Sequence, residues 1–393
     1  MRRITNETRR ERRERGVAML TALVSLTALI AAAALAIDAG MVFVARTQAQ
    51  NVSDAAALAA ARNLIDKTGP TVTLGAAEAA ALGVAGVNNA VDNASVTIDP
   101  NDLVYGNWDL ETETFDTSVD LTDPDVVTAV QVTSYLTQAG PNNPVPAFMA
   151  RILGLDHFDV SATAIAYLGF AGKFNAGEVD LPIAIDCCKL AGSDCKQDYC
   201  APGAPIINEC PLVENPYWAG QTATCLEFHN TAEQNACWTN FESGNNSVNT
   251  ADLSGIVRSG NTFPISVENP IHVDNGDKTP VIGEIEERMS ELPPYGEDEA
   301  IKDYDGDGIN DSWVVRLPVV ECQTEKNCAQ GDAMAVKGAV CFEILEMTVT
   351  PDKIIRGNFM CPNHPRWIDC DLGITGSGGL DFNIRADLPV LVQ

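Results

Sequence analysis

The densest chemistry in the chain is a nine-residue stretch, Asp303-Tyr304-Asp305-Gly306-Asp307-Gly308-Ile309-Asn310-Asp311. Carboxylates at alternate positions bring their oxygens to one point when the backbone curls, and Gly306 and Gly308 permit the curl. Such a hard-oxygen set suits calcium, which takes about 6–8 oxygens at about 2.3–2.6 Å. The expected ligands are Asp303, Asp305, Asp307, the backbone carbonyl of Ile309, and Asp311. The ion's expected role is structural, because the clustered carboxylates repel one another without a cation. A second acidic turn, Asp274-Asn275-Gly276-Asp277, reads as a tight turn, since Asn-Gly sequences make such turns without any ligand.

The loop resembles the calcium loops of EF-hand, dockerin and thrombospondin type 3 repeats. With Asp303 at loop position 1, Asp305 and Asp307 fall at 3 and 5, Gly308 at 6, Ile309 at 7 and Asp311 at 9. Val314 stands at position 12, where the EF-hand has a bidentate acid. A remaining ligand is therefore expected from Glu297, Asp298, Glu299 or water.

Other constellations are poor. The four histidines, His157, His229, His272 and His364, form no HExxH pair. No GxSxG elbow, Walker loop or GxGxxG after a strand occurs. The sequence predicts no enzyme and no catalytic residues. The apolar run Leu181–Ile185 leads into Asp186-Cys187-Cys188-Lys189, which lacks the serines of a metal-dependent adhesion site.

The chain has twelve cysteines, all between Cys187 and Cys370. An even number with no second partner for Cys361-x-x-His364 predicts disulfides in an oxidising compartment rather than zinc. Cys322–Cys328 and Cys361–Cys370 are expected local pairs. Vicinal Cys187 and Cys188 are expected to go to different partners.

The N-terminus says which compartment that is. Met1–Arg15 holds seven Arg and three Glu, a net of +4. Val17–Ile37 follows with no charge; its 21 residues span about 31 Å as a helix, close to the hydrocarbon core. A cleaved signal peptide has a shorter apolar region of about 7–15 residues. The basic end is expected in the cytoplasm and everything after Asp38 outside. The total charge of −29 leaves −33 on the exported part. That argues against nucleic acid or anionic lipid as a partner and suits a soluble or cation-collecting surface.

Met41–Ile65 has no Pro or Gly and carries a small-residue stripe of Val44, Val52, Ala55, Ala56, Ala59 and Leu64, so the helix continues to Lys67-Thr68-Gly69-Pro70. The stripe is read as packing on a second Ala-rich helix over 74–88, or on helices of other subunits. Period-two patterns predict strands at Ser95–Ile98, Leu103–Trp108, Val126–Ser134 and Asp159–Leu168, with a short helix at Ala147–Leu155. Further strands are expected at Leu181–Ile185, Ile271–Val273, Trp313–Val320, Ala335–Val349, Ile354–Phe359 and Phe382–Leu391, with helices at Thr231–Phe241 and Val281–Leu292. The fold class is α+β: a long N-terminal transmembrane and extended α-helix, then an exported mixed α/β and disulfide-rich β domain. The expected divisions are 1–16 cytoplasmic tail, 17–37 transmembrane helix, 38–92 helical extension and second helix, 93–170 small α+β domain, and 171–393 Cys-rich, mostly β domain.

The N-terminal segment resembles Tad-type (TadE/TadG-like) Flp pilus-assembly proteins. The matching residues are the basic tail ending Arg15-Gly16, the apolar run, Ala36-Ile37-Asp38-Ala39-Gly40, Ala45-Arg46-Thr47-Gln48-Ala49-Gln50-Asn51 and Ser53–Ala61. The resemblance extends through Val104–Asp109, Phe115, Val130–Thr133, Phe148–Gly154 and Val160–Ala164. It implies a bitopic protein of the bacterial inner membrane with a minor-pilin or anchoring role beside other pilus-assembly proteins. Thr21 stands where prepilins cleaved after Gly16 would carry Glu, which favours a retained anchor. A membrane-tethered, calcium-stabilised adhesin that binds a surface ligand is the alternative.

Overall fold

The computed structural model describes the backbone of residues 2–392 except 67–70, 92, 111, 125, 193–194, 196, 202, 230–232, 243–247, 268, 277, 292–299, 322–327, 329–331, 349–352, 363, 365, 367–369 and 371–375, with side chains from residue 17 onward. Helix α1, Arg2–Arg62, is one continuous rod of 61 residues, about 92 Å long. Its apolar run is bare: Leu20, Leu23, Val24, Leu26 and Leu29 are all exposed, which in water would be untenable and in lipid is ordinary. Thr21 and Thr27 return their hydroxyls to carbonyls of the preceding turn, at 3.0 and 2.8 Å from the Val17 and Leu23 oxygens.

The upper half of α1 is the spine of the first folded unit. Ala45, Ala49, Val52, Ala56, Ala60 and Leu64 recur at spacings of three and four and are fully buried. Helix α2, Leu74–Val87, buries Ala77, Ala81 and Ala85 in the same core. The remaining face of α1 lies on a five-stranded antiparallel sheet ordered Val390–Leu391, Val160–Tyr167, Ala129–Leu136, Leu103–Asp109, Thr114–Asp116. Small side chains let helix and sheet approach closely enough for polar bonds. The Ser53 hydroxyl donates to the Ala162 carbonyl at 3.0 Å and lies 2.9 Å from the Ser134 hydroxyl, which donates to the Ala49 carbonyl at 3.0 Å. The small-residue stripe is thus used within the chain: Val52, Ala56 and Leu64 are buried, whereas Val44 is exposed.

The second unit is built on a sheet with nine strands among the described residues, in the order Glu209–Pro211, Thr222–Leu226, Ile354–Phe359, Asp332–Thr348, Pro270–Asp274, Ala236–Thr239, Ile183–Asp186, Ser312–Val320, Ile301–Lys302. Ser312–Val320 also pairs with Asp332–Thr348, so five of the strands close into a ring of pairings. Closure removes edges that would otherwise invite association. The core holds Trp238, Phe342, Ile183, Ile185 and Phe382, covered by the helices Thr250–Ser259 and Thr279–Glu291.

Several expectations change. Thr231–Phe241 is not a helix: Ala236–Thr239 is a strand with every residue buried, because it pairs with Ile183–Ile185 and with Val273–Asp274. Ser95–Ile98 alternates in burial but joins no sheet. The Asn142 side chain occupies the ladder position instead, accepting from the Thr97 amide and donating to the Thr97 carbonyl, both at 2.8 Å. Phe382–Leu391 narrows to the strand Val390–Leu391. That strand returns to pair with Ala166 and Tyr167, so the chain's end belongs to the first unit, not to the Cys-rich one. The turn Lys67–Pro70 lies outside the described residues.

Among the described residues the disulfides join both near and distant segments. Cys200 pairs with Cys361, Cys237 with Cys328, Cys341 with Cys370, Cys210 with Cys225 and Cys187 with Cys195. Cys188 is also disulfide-bonded, and not to its neighbour Cys187. The local pairs Cys322–Cys328 and Cys361–Cys370 are therefore corrected. Cys328 and Cys370 each lie against residues brought there by the sheet, which sequence proximity does not report; Cys322 itself lies outside the described residues.

Candidate functional site

The acidic loop hangs between the short strand Ile301–Lys302 and the long strand Ser312–Val320. The Asp311 amide donates to the Lys302 carbonyl at 2.8 Å, which closes the loop at its base. Gly306 and Gly308 take φ of 76° and 88°, where a Cβ would be strained. Asp303 folds inward: one carboxylate oxygen accepts from the Gly306 amide at 2.7 Å and the other from the Gly308 amide at 2.9 Å. Asp311 accepts from the Tyr304 amide at 2.7 Å.

Asp303, Asp305 and Asp311 offer oxygens that all lie within 4.8 Å of one another. Two ligands on opposite sides of one calcium ion, each at about 2.4 Å, stand about as far apart. The spacing and the donor chemistry of these three residues fit that ion. Asp307 stands outside the group; its carboxylate accepts from the Ile309 amide at 2.8 Å. The Ile309 side chain is exposed. Glu297, Asp298, Glu299 and Asp277 lie outside the described residues. At Asp305 the Asp307 amide lowers the carboxyl's pKa, but burial and the charges of Asp307, Asp311 and Asp303 outweigh it and push it above the ordinary aspartate value. The loop therefore carries repulsion that a cation would relieve.

Its supports were not apparent in the sequence. Asn215 donates to the Asp311 carboxylate at 3.0 Å, and the Trp218 indole donates to the Asp311 carbonyl at 2.8 Å. Tyr217 stacks on Tyr304 at 5.3 Å between ring centres. The 213–215 segment is itself fixed by buried Glu346, whose carboxylate accepts from the Val213, Glu214 and Asn215 amides at 2.9, 2.6 and 3.0 Å. Arg356 pairs with Glu346 at 2.9 Å. Behind the loop, Arg366 pairs with buried Glu343 at 2.8 Å and donates to Ser312. Glu and Arg in a β pattern signal nothing about such a clamp until the fold brings the 213–215 amides to them.

The histidines are apart from the cluster. His157 and His272 sit in strands, His229 is on the surface, and His364 lies 3.7 Å from Glu343. Among the described residues no histidine or cysteine joins the three carboxylates.

The second conspicuous carboxylate is Asp38, the first charge after the apolar run. It is buried, and it accepts from the amides of Phe148, Met149 and Ala150 at 2.8, 3.1 and 2.6 Å. These are donors at the start of the 3₁₀ turn Ala150–Leu153, so the carboxylate caps it across 110 residues of sequence. Residues 16–63, which include Asp38 and the buried stripe, match a family model described as putative Flp pilus-assembly TadE/G-like. Over those residues the N-terminal helix is similar to TadE/G-like segments. The rest of the chain, with the acidic loop and the disulfides, lies outside that match. No curated protein and no solved structure matches the chain. That similarity supports a pilus-related role, and the one helix among the described residues that is long and apolar enough to cross a membrane fits a single-pass membrane protein.

Proposed function

We propose that this protein is a non-enzymatic, envelope-anchored component of Flp pilus assembly, TadG-like, with a minor-pilin or anchoring role. The carrying observation is that the TadE/G-like segment and the folded part share one unbroken helix, α1. A head seated directly on the anchor moves with it, as an assembly or tethering component requires. The N-terminus faces the cytoplasm, α1 crosses the inner membrane once, and the head stands in the periplasm or beyond. Other pilus-assembly proteins are its expected partners. Deleting the gene should remove surface pili as counted by electron microscopy, and the full chain supplied in trans should restore them. Normal piliation after deletion would overturn the assignment.

The 303–311 loop is proposed to hold a structural calcium ion through Asp303, Asp305 and Asp311, with Asp307 and the Ile309 carbonyl recruited as it closes. Calcium that binds only the folded protein raises its midpoint by mass action. The full chain in detergent should melt higher in calcium than in chelator, and Asp305→Ala should abolish the difference. An equal midpoint with and without calcium would remove the ion from the account.

One observation favours the adhesin alternative. Tyr217 and Tyr304 form a half-exposed aromatic pair beside the acidic loop, a surface of the kind that meets ligands. Calcium-dependent binding of the full chain to a surface polymer, with piliation unaffected by deletion, would select it.

A further inference from the structure

The turn capped by Asp38 presents an unusual surface. It is the tip of a hairpin whose stems, Val145–Pro146 and His157–Phe158, pair antiparallel. Gly154, at φ 83°, lets the tip close, with its amide donating to the Arg151 carbonyl at 3.1 Å. At that tip Phe148, Ile152, Leu153 and Leu155 are 61, 83, 83 and 54% exposed, with exposed Arg151 among them. Four large apolar side chains on the eight residues 148–155 are costly in water.

The height of the tip is fixed. Asp38 is the residue immediately after the Val17–Ile37 span, and it holds the turn by three amides. Exposed apolar residues continue up the same helix as Phe43 and Val44, 73 and 52% exposed. A bilayer that covers α1 to Ile37 therefore ends level with the tip, beside apolar surface on both elements. We infer that the 148–155 tip is a membrane foot: Phe148, Ile152, Leu153 and Leu155 insert into the interfacial zone of the leaflet on the head's side, while Arg151 reaches the headgroups. Aromatic and aliphatic side chains with an arginine that can snorkel suit that zone. Asp38 then does two things, ending the span and setting the foot at the bilayer surface. The net charge of −29 opposes an anionic bilayer surface, so attachment at the tip must come from its apolar side chains.

The inference rests on α1 being in the bilayer, so the test carries a separate readout for that. Full-length chain is placed in nanodiscs of phosphatidylcholine, one set brominated near the glycerol end of the acyl chains for the tip and a second brominated near the methyl end for the middle of the span. Single tryptophans are added as Leu26→Trp, Ile152→Trp, Leu153→Trp and, on the head surface, Val213→Trp; the parent's emission is subtracted. Ile152→Trp and Leu153→Trp should both lose added emission to bromine, as Leu26→Trp does, while Val213→Trp keeps it. Quenching of Leu26→Trp with neither tip variant quenched would leave the anchor standing and overturn the foot, and would point to a protein partner for the tip. No quenching at Leu26 would overturn anchor and foot together.

Discussion

Replacing Glu346 by glutamine should destabilise the head by about 3–5 kcal/mol and weaken calcium binding at the 303–311 loop, although Glu346 is not one of its carboxylates. The first part follows from burial. Glu346 and Arg356 are 2% and 8% exposed at their side chains and 2.9 Å apart. Removing one charge of such a pair leaves the other buried without compensation, which costs about 3–5 kcal/mol. Glutamine also brings an NH2 group against the three amides of 213–215, which need acceptors. The second part follows from the chain of contacts: the 213–215 segment carries Asn215, and Trp218 follows it, and both bond to Asp311. The comparison is Arg258→Ala, which breaks a surface network with Glu284, Glu287 and Glu291 where Arg258 is about half exposed. Such pairs are worth about 1 kcal/mol or less. Urea unfolding with calcium titration of the three proteins checks this. Equal losses in the two variants, or full calcium affinity in Glu346→Gln, would count against the clamp.

The second large effect belongs to Cys200–Cys361. It closes a sequence separation of 161 residues, whereas Cys210–Cys225 closes 15. In the chain-entropy account a short loop of that size is worth about 3 kcal/mol and a loop of 100 residues or more about 5 kcal/mol. The long bridge also ties the segment between the strands Ile183–Asp186 and Glu209–Pro211 to the end of the strand Ile354–Phe359, beside half-buried Tyr199, whose hydroxyl donates to the Phe382 carbonyl at 3.0 Å. Replacing both Cys200 and Cys361 by alanine should therefore lower the midpoint more than replacing Cys210 and Cys225. The reverse order, or no loss in the long-range variant, would mean that the bridge holds little of the native fold.

What the sequence disclosed depended on how local the cause was. The apolar run, the Pro- and Gly-free stretch over 41–65 and the period of α2 are local, and the helices follow them closely. Ser312–Val320 was legible for the same reason, an apolar run of Trp, Val and Leu broken only by Arg316 and Pro318. The acidic loop was legible as a curl of carboxylates around glycines. Its division into three convergent groups and an outlying Asp307 was not, because the Ile309 amide competes for that carboxylate. Ala236–Thr239 falls within the expected helix Thr231–Phe241 yet is a strand, because the buried partners on both sides decide it. Ser95–Ile98 shows the opposite failure, since a side-chain amide satisfies the backbone as a neighbouring strand would. Disulfide partners, the Glu346 clamp and the reach of Asp38 to 148–150 are all tertiary. A charge one residue past an apolar span was the one local sign that Asp38 had a task.

We propose that the head stands outside the membrane on a retained anchor whose basic tail stays within. An alkaline phosphatase domain that is active only after export, fused directly after Arg62 of the otherwise native chain, tests this in living cells. The account predicts an active, membrane-bound fusion, which stays bound after washing at high pH because the Val17–Ile37 span is retained. An inactive fusion would place the head in the cytoplasm and contradict the orientation, the oxidised cysteines and the exported role together.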